Sequence, residues 1–146
     1  GKITKIRPQP INDLLEKNYI PVISTVASDR DGHSYNINGD TAAAYIAGAL
    51  GAERLIMMTD IAGILRDKDD PETLIPEITI SEAKALYEEG VISGGMIPKV
   101  DCCIEAIKKG VKNVIIMDGR VPHSILVEML TDEGAGTMVV EDKNGY

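Results

Sequence analysis

The sequence predicts an α/β protein whose mostly parallel sheet is sandwiched by helices. Three observations carry this reading. Short runs rich in Ile and Val alternate with helical stretches along the chain. Gly and Pro punctuate those stretches as helix stops and starts do. At 146 residues the chain has room for one domain, with a core that needs no disulfide or metal staple.

The elements follow in order. Residues 2–6 read as a strand, and 11–17 as a short helix after the Pro8/Pro10 break. Residues 19–26, rich in Ile and Val, read as a buried strand. Asp29-Arg30-Asp31-Gly32 is a turn, and 35–38 a second extended segment leading into a helix over 40–50 closed by Gly51. Arg54–Thr59 is a strand, followed by a loop through Gly63 and a solvated turn at 67–71. Thr79 and Glu82 have capping-box spacing for a helix ending near Gly90. A further helix spans 96–109 and stops at Gly110. Residues 114–117 form a strand, 122–130 a helix opened by Pro, and 137–140 the last strand. One domain over 1–140 is expected, with 141–146 as a loose tail.

Fifteen basic against twenty-three acidic residues give a net charge of −8. Such a field repels nucleic-acid phosphates and anionic lipid, so neither is expected as a partner. No apolar run approaches the ~20 residues that span a bilayer. No basic and apolar leader opens the chain, and Cys102 and Cys103 are adjacent, which suits a reducing cytoplasm. The chain begins at Gly1 rather than Met, so an upstream part is expected.

Ligands of open parallel sheets bind beyond the carboxyl ends of the strands. Those ends carry Ser24-Thr25, Thr59-Asp60 and Met117-Asp118. A strand-end Asp often only caps the next turn, but three polar ends point to a site on that edge. In Tyr35-Asn36-Ile37-Asn38-Gly39-Asp40-Thr41, an extended backbone puts Asn36 and Asn38 on one face. Helix capping accounts for Asn38 or Asp40, not for two amides and a carboxylate together. Amides offer donors to a substrate carboxylate, and an Asp can hold a Lys ammonium. In Ser93-Gly94-Gly95-Met96-Ile97-Pro98-Lys99, the Gly pair exposes N–H groups at a helix N-terminus. A Lys in that first turn opposes the helix dipole unless an anion lies between them. The two segments together suggest phosphate handling. The P-loop and dinucleotide fingerprints are missing, and His33 and His123 lack neighbours at zinc-ligand spacing, so no metal site is expected within the chain.

The stretch Tyr35-Asn36-Ile37-Asn38-Gly39-Asp40-Thr41-Ala42-Ala43 resembles the acetylglutamate kinase branch of the amino-acid kinase family. Three further blocks follow in the family's order. They are Leu55 through Leu65, Gly94-Gly95-Met96-Ile97-Pro98-Lys99, and Asp118-Gly119-Arg120 through Gly136-Thr137-Met138. Gly39 stands where Ala is usual. The resemblance implies the amino-acid kinase (carbamate kinase-like) fold, of which this would be the C-terminal, nucleotide-binding portion. It implies phosphorylation of the γ-carboxylate of N-acetyl-L-glutamate by ATP carrying Mg²⁺, a step of arginine synthesis. By resemblance Lys99 and Asp40 are catalytic, and Asn36 and Asn38 bind substrate. Thr59, Asp60, Gly63, Ile64, Leu65, Ser93 and Met96 would line the nucleotide site.

The family's Gly-rich phosphate loop, its first catalytic Lys and the acyl-amino-acid pocket lie in an N-terminal half without a counterpart here. That half is therefore expected as a partner, and the chain alone is expected to be inactive. A homo-oligomer is also expected. The stretches 120–124 and 131–137 resemble arginine-sensitive members, which implies L-arginine as feedback effector near His123 and Glu133. The alternative is a non-catalytic nucleotide-binding or regulatory module of the same fold; a dinucleotide-dependent dehydrogenase has only the α/β pattern behind it.

Overall fold

In the computed structural model, which describes residues 1–132 and 134–142, the chain builds a four-stranded mixed sheet and a separate two-stranded hairpin. Helix α1 spans Gln9–Glu16, and strands β1 (Val26–Ser28) and β2 (Ser34–Asn36) form the hairpin. Helix α2 (Gly39–Leu50) leads to β3 (Arg54–Thr59), and a short 3₁₀ turn at Pro71–Thr73 precedes β4 (Glu77–Thr79). Helices α3 (Ile80–Glu88) and α4 (Met96–Lys108), β5 (Asn113–Asp118), α5 (Ser124–Leu130) and β6 (Gly136–Val140) complete the order.

The sheet order is β3-β5-β6-β4. β3 pairs with β5 in parallel, Arg54 opposite Asn113 and Thr59 opposite Asp118. β4 pairs with β6 in parallel, while β5 and β6 are antiparallel. Two of the three pairings are thus parallel, as the strand–helix alternation predicts. Val114, Ile115, Ile116 and Met117 on β5 are fully buried, the mark of a central strand covered on both faces. Val114 and Ile116 join the core formed with α2, α3 and α4. Ile115 and Met117, alternating with them, turn to the opposite face. On the outer side of the sheet, Glu128 of α5 accepts the Ala135 N–H at 2.7 Å and Arg54 reaches the Met129 sulfur at 3.5 Å.

Helix boundaries follow local chemistry. Asn38 caps α2 by accepting the Thr41 N–H at 3.0 Å, and Gly51, in the left-handed conformation, ends it. Thr79 and Glu82 form the expected capping box on α3. The Asp29–His33 turn is closed by Asp29 Oδ1, which accepts the N–H groups of Asp31 and His33, both at 2.9 Å.

Two expected strands are not formed. Residues 2–6 and 19–25 carry no sheet ladder, and Ile20 and Val22 stand 89% and 94% exposed. A strand exists only through its partner, and only Val26–Ser28 meets one among the described residues. Residues 2–6 and 23–25 instead line a largely apolar trough of about 480 Å³ together with Ile37, Ala42 and Ile46. Strand β4 is an element that composition did not announce; its three residues are held by β6. Of the expected tail, Asp142 accepts the Ser81 N–H at 2.9 Å, and 143–146 lie outside the described residues.

Candidate functional site

Helices α2 and α4 feed through short turns into the parallel strands β3 and β5. Each helix therefore runs back against its strand, and its N-terminus lies toward the edge where the strands end. That topology gathers Asn38 and Asp40 at the start of α2, Lys99 in the first turn of α4, and Thr59, Asp60 and Asp118 at the strand ends onto one edge.

The Lys99 ammonium stands 3.7 Å from the Asp40 carboxylate, with both side chains partly exposed. A surface pair at this distance adds little to stability, so its interest is positional. The pair joins two helix N-termini, and α4 starts at Gly95 without a side-chain cap. Its first helical N–H groups are already taken: Met96 donates to the Ser93 carbonyl at 3.1 Å, Ile97 to the Gly94 carbonyl at 3.3 Å, and Pro98 has no N–H. This helix start, beside Lys99 and the exposed Ser93-Gly94 turn, therefore does not present the free donors its Gly pair implied. Met96 is half-buried against the core.

Asn36 and Asn38 are both exposed, with Ile37 between them buried, as the extended reading requires. Their amides are not equivalent. Asn38 spends its oxygen on the cap, while Asn36 accepts only a long 3.4 Å bond from the Thr25 hydroxyl. Asn36 is the freer of the two.

The loop after β3 is tied at both ends. Thr59 Oγ1 accepts the Ile61 N–H at 3.1 Å, and Thr137 Oγ1 accepts the Ile64 N–H at 2.8 Å. Gly63 has φ +151°, and a Cβ there would lie 2.6 Å from the Thr137 hydroxyl. Ile64 is buried in the core, and its carbonyl accepts the Ile75 N–H at 2.9 Å. Its side chain thus anchors the loop. Leu65 bridges to Leu74, while Asp60 and Ala62 face outward.

Sequence reasoning passed over two groups here, Thr137 and the Asp118–Arg120 pair as a fork. Thr137 is fully buried and also donates to the Ile75 carbonyl at 2.7 Å. Arg120 places Nε and Nη2 on the two Asp118 oxygens at 2.9 and 2.8 Å. This fork, with the Arg120 backbone N–H, holds the Asp118 carboxyl down at about 2. A Thr inside an apolar strand and an Asp-Gly-Arg run at a strand end were the available signals.

Elsewhere, His123 precedes α5 in the left-handed conformation and is exposed, with φ +62°. Glu133 lies outside the described residues. One His/Cys/Asp/Glu group tight enough for an ion occurs among the described residues, Asp29, Asp31 and His33 on the exposed hairpin. This corrects the expectation that His33 lacks ligand-spaced neighbours: the turn brings Asp29 Oδ2 to 3.0 Å from His33 Nδ1. Among those residues no helix is long and apolar enough to cross a membrane.

The sequence profile described as the amino acid kinase family matches residues 1–118. An acetylglutamate kinase of Thermosynechococcus vestitus is 54% identical over the whole chain, which covers 50% of that protein. A chloroplastic acetylglutamate kinase of Arabidopsis thaliana is 52% identical over 95% of the chain and 40% of that protein. Among solved structures, N-acetylglutamate synthase from Neisseria gonorrhoeae, complexed with coenzyme A and L-arginine, superposes with a TM-score of 0.87. It is 27% identical over 97% of this chain and 32% of that one. The chain spans about half the length of the curated relatives it matches, aligning with their C-terminal half. With the strand-end site and its glycine-dependent loop already in place, the family match leaves one conclusion: this chain belongs to the amino acid kinase family.

Proposed function

We propose that the protein containing this chain transfers the γ-phosphoryl group of ATP to the γ-carboxylate of N-acetyl-L-glutamate, and that this chain supplies the nucleotide half. The observation that carries the reading is the Asp40–Lys99 pair joining two helix N-termini at the strand-end edge, in a chain similar to acetylglutamate kinases. A substrate carboxylate oxygen attacks the γ-phosphorus, and the bond to the β-phosphate oxygen breaks, releasing ADP. A carboxylate nucleophile brings no proton to remove, so the step needs positioning and charge stabilisation rather than a general base. Lys99 stabilises charge on the moving phosphoryl group, and Asp40 aims the ammonium. Asn36 donates to the substrate's α-carboxylate, with the Asn38 amide group beside it. Thr59, Asp60, Gly63 and Leu65, with Ser93 and Met96, line the nucleotide, and Ile64 holds the loop from the core. Mg²⁺ enters on the phosphates, the hard oxygen donors it prefers.

The N-terminal half is the partner this reading requires. Residues 2–6 and 23–25, which line an apolar trough and pair with no strand among the described residues, and the exposed Ile20 and Val22 beside them support docking of that half there. L-arginine is the proposed effector, with His123 and Glu133 as the residues that would meet it; the arginine complex of the structurally similar synthase supports the reading. A cytoplasmic homo-oligomer completes the proposal, although the Arabidopsis relative is chloroplastic.

The experiment is hydroxylamine trapping of the acyl phosphate. Full-length protein forms hydroxamate from N-acetyl-L-glutamate, this chain alone does not, and adding the N-terminal half restores it. No hydroxamate from the full-length protein would end the kinase reading.

A further inference from the structure

The loop from Asp60 to Leu65 is held from below by Thr137 and from its start by Thr59, yet a third restraint reaches it from the neighbouring strand. Arg120 Nη2 donates to the Asp60 carbonyl at 2.6 Å while the same guanidinium forks onto Asp118. The backbone prepares this reach. Thr59 and Asp118 are register partners, the Gly119 N–H donates to the Thr59 carbonyl at 2.8 Å, and the Arg120 N–H returns to Asp118 at 2.9 Å. Arg120 is 69% exposed but Asp118 only 15%, so the anchor is partly sheltered and the reaching group is not.

An isolated surface ion pair would carry little. What distinguishes this one is its third bond, which spends a rigid planar fork on a backbone carbonyl of another loop. Lysine, a point donor, cannot make both contacts with one geometry. The pair also cancels a carboxylate at the edge where an anionic nucleotide would arrive.

We propose that Arg120 is a positioning residue for nucleotide binding: anchored on Asp118, it fixes the Asp60 carbonyl and with it the conformation of the Asp60–Leu65 loop. This rests on the reading of that loop as part of the nucleotide site.

The test uses the full-length protein. Arg120→Ala is expected to raise the KM for ATP about tenfold, the scale of one charge-assisted hydrogen bond, while kcat changes less than about threefold. Arg120→Lys is expected to recover only part of the loss. Full recovery by lysine would show that charge alone suffices and would overturn the proposal. So would kcat falling in parallel with thermal stability, since that marks a merely structural role. Hydrogen exchange of the 57–66 region, with and without a non-hydrolysable ATP analogue, separates the two readings. Nucleotide protection in the wild type with an unchanged KM in Arg120→Ala defeats the role of Arg120 alone. Absence of protection in the wild type removes the nucleotide reading of the loop, and the proposal with it.

Discussion

The hydroxyl of Thr137 on β6 accepts the N–H of Ile64 at 2.8 Å, joining the last strand of the sheet to the loop that follows β3. Its proton goes to the Ile75 carbonyl at 2.7 Å, and the residue is fully buried. Thr137→Val keeps the shape and removes both bonds, leaving a buried donor and an acceptor unsatisfied. The expected loss is about 2–4 kcal/mol, since each orphaned group costs about 1–3 kcal/mol less whatever relaxation recovers. Urea unfolding checks it, and Thr137→Ser, which keeps the hydroxyl, is expected to lose clearly less.

Gly63 meets the same hydroxyl from the other side. A Cβ at Gly63 would also lie 2.8 Å from Leu74 and 3.0 Å from the Thr137 backbone nitrogen, at φ +151°. Gly63→Ala is therefore expected to destabilise by more than about 2 kcal/mol, and to weaken ATP binding because the loop must move to admit the methyl. Thermal melts and nucleotide titration on the full-length protein read the two effects separately. A variant as stable as wild type would contradict the packing.

What the sequence made legible was whatever is decided locally. The apolar run 114–117 announces a buried strand, and the Thr79–Glu82 capping box and the glycine after α2 mark their helix ends without knowledge of the rest of the fold. Pairing is not local. Residues 19–25 have the composition of a strand and form no ladder with any strand among the described residues, while the three residues of β4 become one because β6 lies beside them. The antiparallel turn of β6 against β5 is likewise a product of tertiary packing. At the site, Asp40 and Lys99 were legible singly, as a carboxylate able to hold an ammonium and a Lys at a helix start, with their catalytic roles implied by resemblance; their 3.7 Å approach is made by the packing of α2 on α4. The bonds from Thr137 to the Ile64 N–H and from Arg120 to the Asp60 carbonyl were not legible, because those partners are backbone groups of a distant loop that carry no side-chain signature.

Lys99 is expected to act on the moving charge rather than on the resting nucleotide. Lys99→Ala in the full-length protein should lower kcat by about a hundredfold or more, with the KM for ATP changed much less, because only contacts that strengthen in the transition state speed the step. Steady-state kinetics with ATP varied at saturating N-acetyl-L-glutamate gives the split. Asp40→Asn should lower kcat less, since it removes the 3.7 Å partner of the ammonium and not the ammonium itself.

The Asp118–Arg120 fork sets a pH dependence with a definite sign. The Asp118 carboxyl falls from an ordinary value of 3.8 to about 2 in the folded chain, chiefly through the Arg120 side-chain bonds. A carboxyl depressed by folding contributes stability that is complete above its unfolded pKa and lost as pH falls through the folded one. The stability gap between wild type and Asp118→Asn should therefore be constant from neutral pH down to about 5, and narrow between about pH 4 and 2. Urea unfolding across that range measures it, and a gap independent of pH would show that the fork does not persist in solution.

The two adjacent cysteines are expected to differ in reactivity. Burial pushes the Cys103 thiol up to about 12, and Cys103 packs wholly inside α4 with its sulfur against Met57 at 3.5 Å. Burial also raises Cys102, but that side chain is only partly covered and lies 3.9 Å from the Thr41 hydroxyl. Attack on an alkylating reagent requires thiolate and access together, and Cys103 has neither in the folded state. At pH 8 iodoacetamide should label Cys102 slowly and Cys103 only at the rate at which the core opens, so that mild urea accelerates Cys103 far more than Cys102. Peptide mass spectrometry over a time course reads both sites at once. Equal labelling of the pair under native conditions would mean that α4 does not seat on β3 and β5 as described.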